Sequence, residues 1–261
     1  MTAVAVRVQE PGTLTVFGRA AAAEWLRLRT VRTTWLCLLA ATVAIVGLGA
    51  IAAADEAMGP VSPSNPIPST FAGEFGVMLG QFPLLVLALL AVTQEYASRA
   101  IGPTLQWSPR RGVLLAARVV VPVVVVTGVG VLLALVADVL ALLIDPDLTL
   151  SLADAADSLG RIAAVLAAGS ALAVGVGLLL RSTAGALATV FLLQLVLPFL
   201  LPAFGVQWMA DLGELLPGSG AVWMLLGEPE MTAGQATALL VGWSGAALAA
   251  GGWSLLRRDA G

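Results

Sequence analysis

Side chains that could do chemistry are few in this sequence, and their types exclude several kinds of site. The sequence has no lysine, no histidine and a single cysteine, Cys37. Without lysine it cannot form the Gly-Lys-Ser/Thr phosphate-binding loop of a Walker ATPase. Without histidine or a second cysteine it lacks the usual zinc ligands, Ser-His-Asp or Cys-His pairs, and an internal disulfide. We therefore expect no catalysis by the chain itself, no metal site and no bound cofactor.

Three polar residues lie within apolar stretches of the sequence. They are Gln81, Asp138 and Gln194. Because polar groups at membrane depth often mark a transport pathway, these residues are candidates for a substrate path. Two alternatives stay open: Asp138 could be a boundary residue near water, and Gln194 could hydrogen-bond a neighbouring helix. Carboxylates such as Glu74 and Asp138 also leave open an intramembrane enzyme, although no paired-carboxylate motif is recognisable.

The elements that must position these residues are long apolar runs. Hydrophobic residues make up 59% of the chain and charged residues only 11%. A helix needs about 20 apolar residues to cross a bilayer, and the runs lack the alternation of a membrane barrel. The sequence therefore predicts an all-α membrane protein with six transmembrane helices. The predicted spans are about 35–54, 75–92, 113–144, 162–180, 184–204 and 233–256.

Charges are sorted between the segments that connect these spans. Twelve of the thirteen arginines fall in segments 1–34, 93–118, 181–183 and 257–261, which we call the arginine-rich side. The alternate segments, which we call the acidic side, carry eleven acids and one arginine, Arg161. The positive-inside rule predicts that the arginine-rich side and both termini are cytoplasmic. A signal peptide cleaved after the first run is the alternative, but 33 residues precede that run.

Composition and the helical periodicity of apolar residues predict the remaining segments. Residues 1–16 form a flexible lead, 17–34 an amphipathic interfacial helix, 35–256 the transmembrane domain and 257–261 a cytoplasmic tail. The alternative for 17–34 is a plain positive flank that orients the first span. Arg118 is expected to extend toward the arginine-rich interface. A tight hairpin is expected at 181–183, close helix contacts at the glycines of span four, and short interfacial helices within 205–232.

Two segments together resemble the signatures of bacterial ABC-2 type transporter permeases. Residues 24–35 read EWLRLRTVRTTW and resemble the family's motif before span one. Glu95-Tyr96, Ile101, Thr104-Leu105, Pro109-Arg110 and 114–118, LLAAR, resemble its segment between spans two and three. Residues 215–219, LLPGS, resemble its outer loop before span six. The chain departs from the family at Arg99-Ala100-Ile101, where Gly-Thr-Ile is usual, and at Gly102-Pro103.

The resemblance implies a role for both segments. The segment after span two would dock in a cleft of an ATPase, and Glu95 would join a polar network with Arg27, Arg29 or Arg32. The ATPase-coupling residues implied by position are Glu95, Tyr96, Arg99, Ile101, Thr104, Leu105, Trp107, Arg110 and Arg111. Those implied on the interfacial helix are Glu24, Trp25, Arg27, Arg29 and Arg32.

The resemblance also implies function and partners. The chain would be the permease subunit of an ATP-driven exporter in the bacterial cell membrane, moving an amphiphilic, lipid-like, drug-like or glycan substrate outward. Its partners would be two copies of an ABC ATPase, which binds the ATP and magnesium, a second permease in a homodimer or heterodimer, and membrane lipid. No nucleic acid is expected. The alternative from another class is a non-transporting membrane anchor or sensor that docks a cytoplasmic regulator.

Overall fold

The computed structural model describes residues 12–58, 67–97, 111–227 and 231–258, with the backbone alone at 95–97, 111 and 256–258. These ranges are almost entirely helical. The helices are α1 (Thr13–Thr30), α2 (Arg32–Ala57), α3 (Thr70–Gly80), α4 (Phe82–Ala97), α5 (Arg111–Ile144), α6 (Leu152–Leu180), α7 (Thr183–Phe191), a π-helical turn (Leu192–Val196), α8 (Leu197–Ala203), α9 (Gln207–Glu214), α10 (Pro217–Leu226) and α11 (Ala233–Arg258).

Five of the described helical segments are long and apolar enough to cross a membrane, and α3 with α4 makes a sixth if the bent pair counts as one span. The five are α2, α5, α6, the continuous segment Thr183–Ala203, and α11. The prediction of an all-helical, multi-pass membrane protein is thereby confirmed. The helix that contains the fourth predicted span, 162–180, begins earlier, at Leu152, where the Ser151 hydroxyl accepts the amide proton of Asp154.

The second span is not the single helix predicted over 75–92. It is broken at Gln81, and α3 and α4 are bent by 47° at this break. Pro83 follows the break directly and has no amide proton to continue the helical hydrogen-bond ladder. The Gln81 amide still bonds to the Val77 carbonyl, so α3 closes its last turn before the chain changes direction.

The central helix of the bundle is α6, which packs against α3, α4, α5, α7, α10 and α11. Its side chains Ile162, Leu166, Leu172 and Leu178 are almost fully buried. At Gly175 the backbone of α11 approaches so closely that a Cβ atom would stand 2.4 Å from the carbonyl carbon of Ala247. The expected close helix contact at the glycines of this span is therefore confirmed.

The connection between α6 and α7 is the tight hairpin that was expected. Arg181 ends α6 in the left-handed conformation, with φ 54°, and Ser182 caps α7 by accepting the amide proton of Gly185. The Arg181 guanidinium donates to the Ser254 carbonyl at 3.0 Å. This contact joins the hairpin to the end of α11.

The amphipathic helix is a separate element, although its limits differ from the predicted 17–34. It begins at Thr13 and ends at Thr30, and Val31 is extended. Residues 32–34 instead begin α2, because the chain turns at Val31 and the Trp35 indole donates to the Arg29 carbonyl at 3.1 Å. Helix α1 packs against α5. This packing argues against the alternative of a plain charged flank.

Between α8 and α11 the chain forms a helical hairpin that we call the re-entrant hairpin, made of α9 and α10. The Trp243 indole donates to the Leu215 carbonyl, between these two helices, at 2.9 Å. Trp243 lies ten residues into α11, or about 15 Å along it at 1.5 Å per residue. The prediction of short helices in 205–232 is confirmed, and the turn between them lies roughly halfway along the sixth span.

Candidate functional site

The strongest cluster of charge joins α1 to α5. The buried carboxylate of Glu24 lies 2.6 Å from Arg27 Nη2 and 3.4 Å from Arg118 Nε. Arg118 is only 2% exposed, so this pair is largely removed from water. Buried arginine and carboxylate groups are stable only when they are paired in this way.

The same cluster reaches a third helix, because the Arg27 guanidinium also donates to the Ala91 carbonyl of α4. One side chain of α1 therefore contacts the last turns of the second span, while its neighbour Glu24 contacts the start of the third. We call Glu24, Arg27 and Arg118 the charged junction. Arg118 was expected to extend to the interface; it is instead held inside by Glu24, which compensates its charge.

Other residues predicted on the interfacial helix face away from the charged junction. Trp25, Arg29 and Arg32 are exposed. The Arg29 guanidinium lies 5.8 Å from the centre of the Trp25 ring, within the range of a cation–π contact. An exposed tryptophan with arginines beside it is typical of a helix at the level of the lipid headgroups.

The predicted coupling residues fall mostly outside the described part of the chain. Arg99, Ile101, Thr104, Leu105, Trp107 and Arg110 lie in 98–110, which the structure does not describe. Glu95 and Tyr96 are in α4 and Arg111 begins α5, with their side chains outside the description. The pairing of Glu95 with an arginine of α1 stays a prediction. The structure does place the two ends of this segment on the two helices that the charged junction connects.

A second ion pair lies on the acidic side. The Arg161 guanidinium contacts Glu74 at 2.8 Å and Asp157 at 3.1 Å. It also donates to the Met224 carbonyl of α10 at 3.1 Å. Arg161 therefore joins α6, α3 and the re-entrant hairpin. In the sequence, Arg161 is the one arginine among the acids of the acidic side.

Asp138 is not a boundary residue near water, and its place in a substrate path stays a prediction. It is fully buried, and its Oδ1 accepts the Gly73 amide proton at 2.8 Å. That amide is in the first turn of α3, where helical amides lack a partner within the helix. Asp138 therefore caps α3 from α5, which corrects its interpretation as a boundary residue near water.

Gln81 and Gln194 do come together, on either side of Gly169. A Cβ atom on Gly169 would lie 3.1 Å from Gln194 Nε2 and 3.7 Å from Gln81 Oε1. Gln81 donates to the Met78 carbonyl in its own span at 3.1 Å. The side chain of Gln194 is 4% exposed, and neither of its polar atoms bonds to a described residue.

This arrangement corrects the alternative in which Gln194 bonds a neighbouring helix. Gln194 lies in the π-helical turn Leu192–Val196, and such turns occur often at functional sites. An amide that stays buried without a partner is energetically costly. Gln81 and Gln194 therefore lie close to the same point of the bundle, and their role in a substrate path stays a prediction.

Within the described residues, no three histidine, cysteine, aspartate or glutamate side chains are arranged to hold a metal ion. Glu74 and Asp138, the carboxylates considered for an intramembrane enzyme, are engaged by Arg161 and by the Gly73 amide. No protein-family model matches the chain, and no curated protein is significantly similar to it.

Proposed function

We propose that the chain is the membrane-spanning subunit of an ATP-driven exporter, in which a separate ATPase drives the movement of an amphiphilic substrate. The observation that carries the proposal is the charged junction. Glu24, Arg27 and Arg118 bind one amphipathic helix to α4 and α5, the two helices that lead into and out of segment 98–110. Motion imposed on that segment would reach both spans and α1 together.

In this proposal, motion of segment 98–110 is transmitted to the substrate path along the second span. Its arginine-rich end, α4, contacts Arg27 through the Ala91 carbonyl, and its other end, α3, is attached to the acidic side by Asp138 and Arg161. Between these ends the span is already bent at Gln81. A hinge at a proline-associated break allows one half to move while the other stays attached. Gln81 and Gln194 would then be exposed to a path that opens alternately to each side.

The proposed assembly includes a separate ATPase. These residues contain no lysine and therefore no Walker loop, and in the proposal another subunit supplies ATP and magnesium binding. The proposed complex has two such ATPases and two six-span subunits, as a homodimer or heterodimer. By the positive-inside rule the ATPases would sit on the arginine-rich side. The substrate is an amphiphile, whether lipid-like, drug-like, peptide or glycan.

The test is to isolate the tagged chain from its native membrane in mild detergent and to identify the proteins that stay bound. We expect a soluble protein with a Walker lysine and an ATPase activity that depends on the complex. Leu105→Asp should abolish that association, because it puts a charge into the proposed docking surface. Leu14→Asp is the matched control, since Leu14 is 87% exposed and lies near the start of α1.

A bound regulator without ATPase activity would contradict the proposal and support the membrane anchor or sensor instead. Unchanged ATPase binding in Leu105→Asp would leave the exporter standing but refute the docking assignment. Export measured in vesicles that contain both subunits, with ATP supplied on the arginine-rich side, completes the test.

A further inference from the structure

A cleft opens between α8 and the re-entrant hairpin. Its volume is about 320 Å³, and it is lined by Phe199, by the prolines 198 and 202, and across from them by Glu214, Ser219 and Val222. This volume lies within the range of sites for small organic ligands, and such sites are apolar with a few placed polar groups. The Ser219 hydroxyl donates to the Gly213 carbonyl at 2.8 Å, so Glu214 is the polar group left to meet a ligand.

Glu214 lies deep along the spans. It is the last residue of α9 and directly precedes Leu215, whose carbonyl accepts the Trp243 indole proton. On the other side of the turn, a Cβ atom on Gly218 would stand 2.2 Å from the Gln194 carbonyl oxygen, near the middle of the fifth span. Glu214 is exposed on the surface of the chain, so at this level of the spans it faces lipid or another molecule, where a carboxylate is costly unless a cation accompanies it.

The chain itself offers Glu214 no cation. Glu214 forms no ion pair or hydrogen bond with any residue that the structure describes. On the acidic side the sequence has one basic residue, Arg161, which is engaged by Glu74, Asp157 and the Met224 carbonyl. The same sorting of charge holds in a second copy of the chain. A positive charge for this carboxylate must therefore come from another molecule.

We propose that this cleft binds a small cationic amphiphile, with its apolar body against Phe199 and Val222 and its positive charge beside Glu214. The shape of the cleft suits the apolar part, and the uncompensated carboxylate selects the charge. The binding site stands on this geometry alone. The further step, that the bound molecule is cargo, rests on the proposed exporter function.

The test measures binding of tetraphenylphosphonium to the full chain in nanodiscs of phosphatidylcholine, relative to empty nanodiscs. Tetraphenylborate, which has the same shape and the opposite charge, is the matched ligand. Glu214→Gln should weaken tetraphenylphosphonium binding by about tenfold or more, while tetraphenylborate binding does not fall. Asp211→Asn is the matched protein control, because Asp211 is one turn away on α9 and accepts a hydrogen bond from Gln207.

A second variant separates shape from charge. Val222→Phe reduces the space in the cleft without altering its charge, and should weaken binding of tetraphenylphosphonium by several-fold. The site is overturned if Glu214→Gln binds the cation as the unaltered chain does. It is equally overturned if Asp211→Asn loses as much affinity, or if the unaltered chain shows no binding above empty nanodiscs.

The outcome for the site and for the exporter can be told apart. Binding that depends on Glu214, in a chain that recruits no ATPase, would establish the site and reject the proposed function. A functional exporter complex whose ATPase and flux ignore tetraphenylphosphonium, in a chain that does not bind it, would reject the site alone.

Discussion

Two regions of this molecule use their charged and polar groups in opposite ways. In the charged junction, the buried Glu24 carboxylate forms ion pairs with two arginines, and Arg27 also donates a hydrogen bond to the Ala91 carbonyl of α4. Around the re-entrant hairpin, Glu214 has no ion pair within the described residues, and both polar atoms of Gln194 are unbonded there. The first region uses its charged groups to hold helices together, whereas Glu214 and Gln194 in the second region do not hold helices together in this way.

This difference bears on what each region can do. A fully paired charge cluster resists rearrangement, because breaking it leaves an uncompensated charge in a dry place. Such a cluster is suited to transmit motion between helices. Unpaired polar groups in a cleft or beside a break in a helix are suited to receive a ligand or a new partner. The predictions below test that contrast, beginning with the largest effect on stability.

Glu24→Leu should destabilise the fold most, because Arg27 and Arg118 lose the carboxylate that they share. Removing one member of a buried ion pair costs about 3–5 kcal/mol. The midpoint of thermal unfolding can be followed through the single cysteine, Cys37, which is buried until the chain unfolds. We expect a clear fall in that midpoint. Arg29→Gln is the control, since Arg29 is exposed and should shift the midpoint little. Equal shifts in both variants would mean that the charged junction does not stabilise α1.

Gly218→Ala tests how deeply the re-entrant hairpin is inserted. The new methyl group would stand 2.2 Å from the Gln194 carbonyl oxygen, so α10 must move away from the fifth span. Overpacking of this kind costs about 1–3 kcal/mol. The matched control is Gly160→Ala, because Gly160 is exposed on α6 with nothing within 4 Å of the added atom. That control should be neutral or stabilising. A midpoint that does not fall in Gly218→Ala would place the hairpin farther from α8.

Glu74→Gln should have a smaller effect than Glu24→Leu. Arg161 keeps Asp157 and the Met224 carbonyl as partners, and its side chain is 37% exposed. A partly exposed ion pair contributes about 1 kcal/mol or less. The expected result is a modest fall in the unfolding midpoint that becomes smaller still at high salt. A large fall that ignores salt would mean that this pair is as essential as the charged junction.

The spans could be predicted from the sequence, whereas the contacts that distinguish the two regions could not. Hydropathy places the spans because each must present about 20 apolar residues to lipid, whatever its neighbours are. The break in the second span has a local signal in Pro83, two residues after Gln81. The prediction of one helix over 75–92 nevertheless did not include a break there. Proline so early in a helix is compatible with a new helix start, which is what α4 is.

Tertiary pairing has no such local signal. Glu24 stood out as an acid on the apolar side of α1, and Arg118 as a cation within a span, but their pairing links residues far apart in the chain. The depth of the re-entrant hairpin likewise follows from contacts between distant residues, such as that of Trp243 with the Leu215 carbonyl. The cap that Asp138 provides has no local signal either, since its partner is a backbone amide of another helix.

Gln194→Leu is expected to have the smallest effect on stability and is the sharpest test of the contrast. Leucine is close to glutamine in size, and it removes an amide whose two polar atoms are buried and bond to no described residue. Replacing an unsatisfied buried polar group by an apolar one is neutral or stabilising by about 1 kcal/mol. The unfolding midpoint should therefore stay unchanged or rise. If the amide meets substrate in the proposed path, the same variant should lose flux in the reconstituted complex while ATPase binding persists. A fall in the midpoint would mean instead that Gln194 holds helices together, and the second region would then resemble the first.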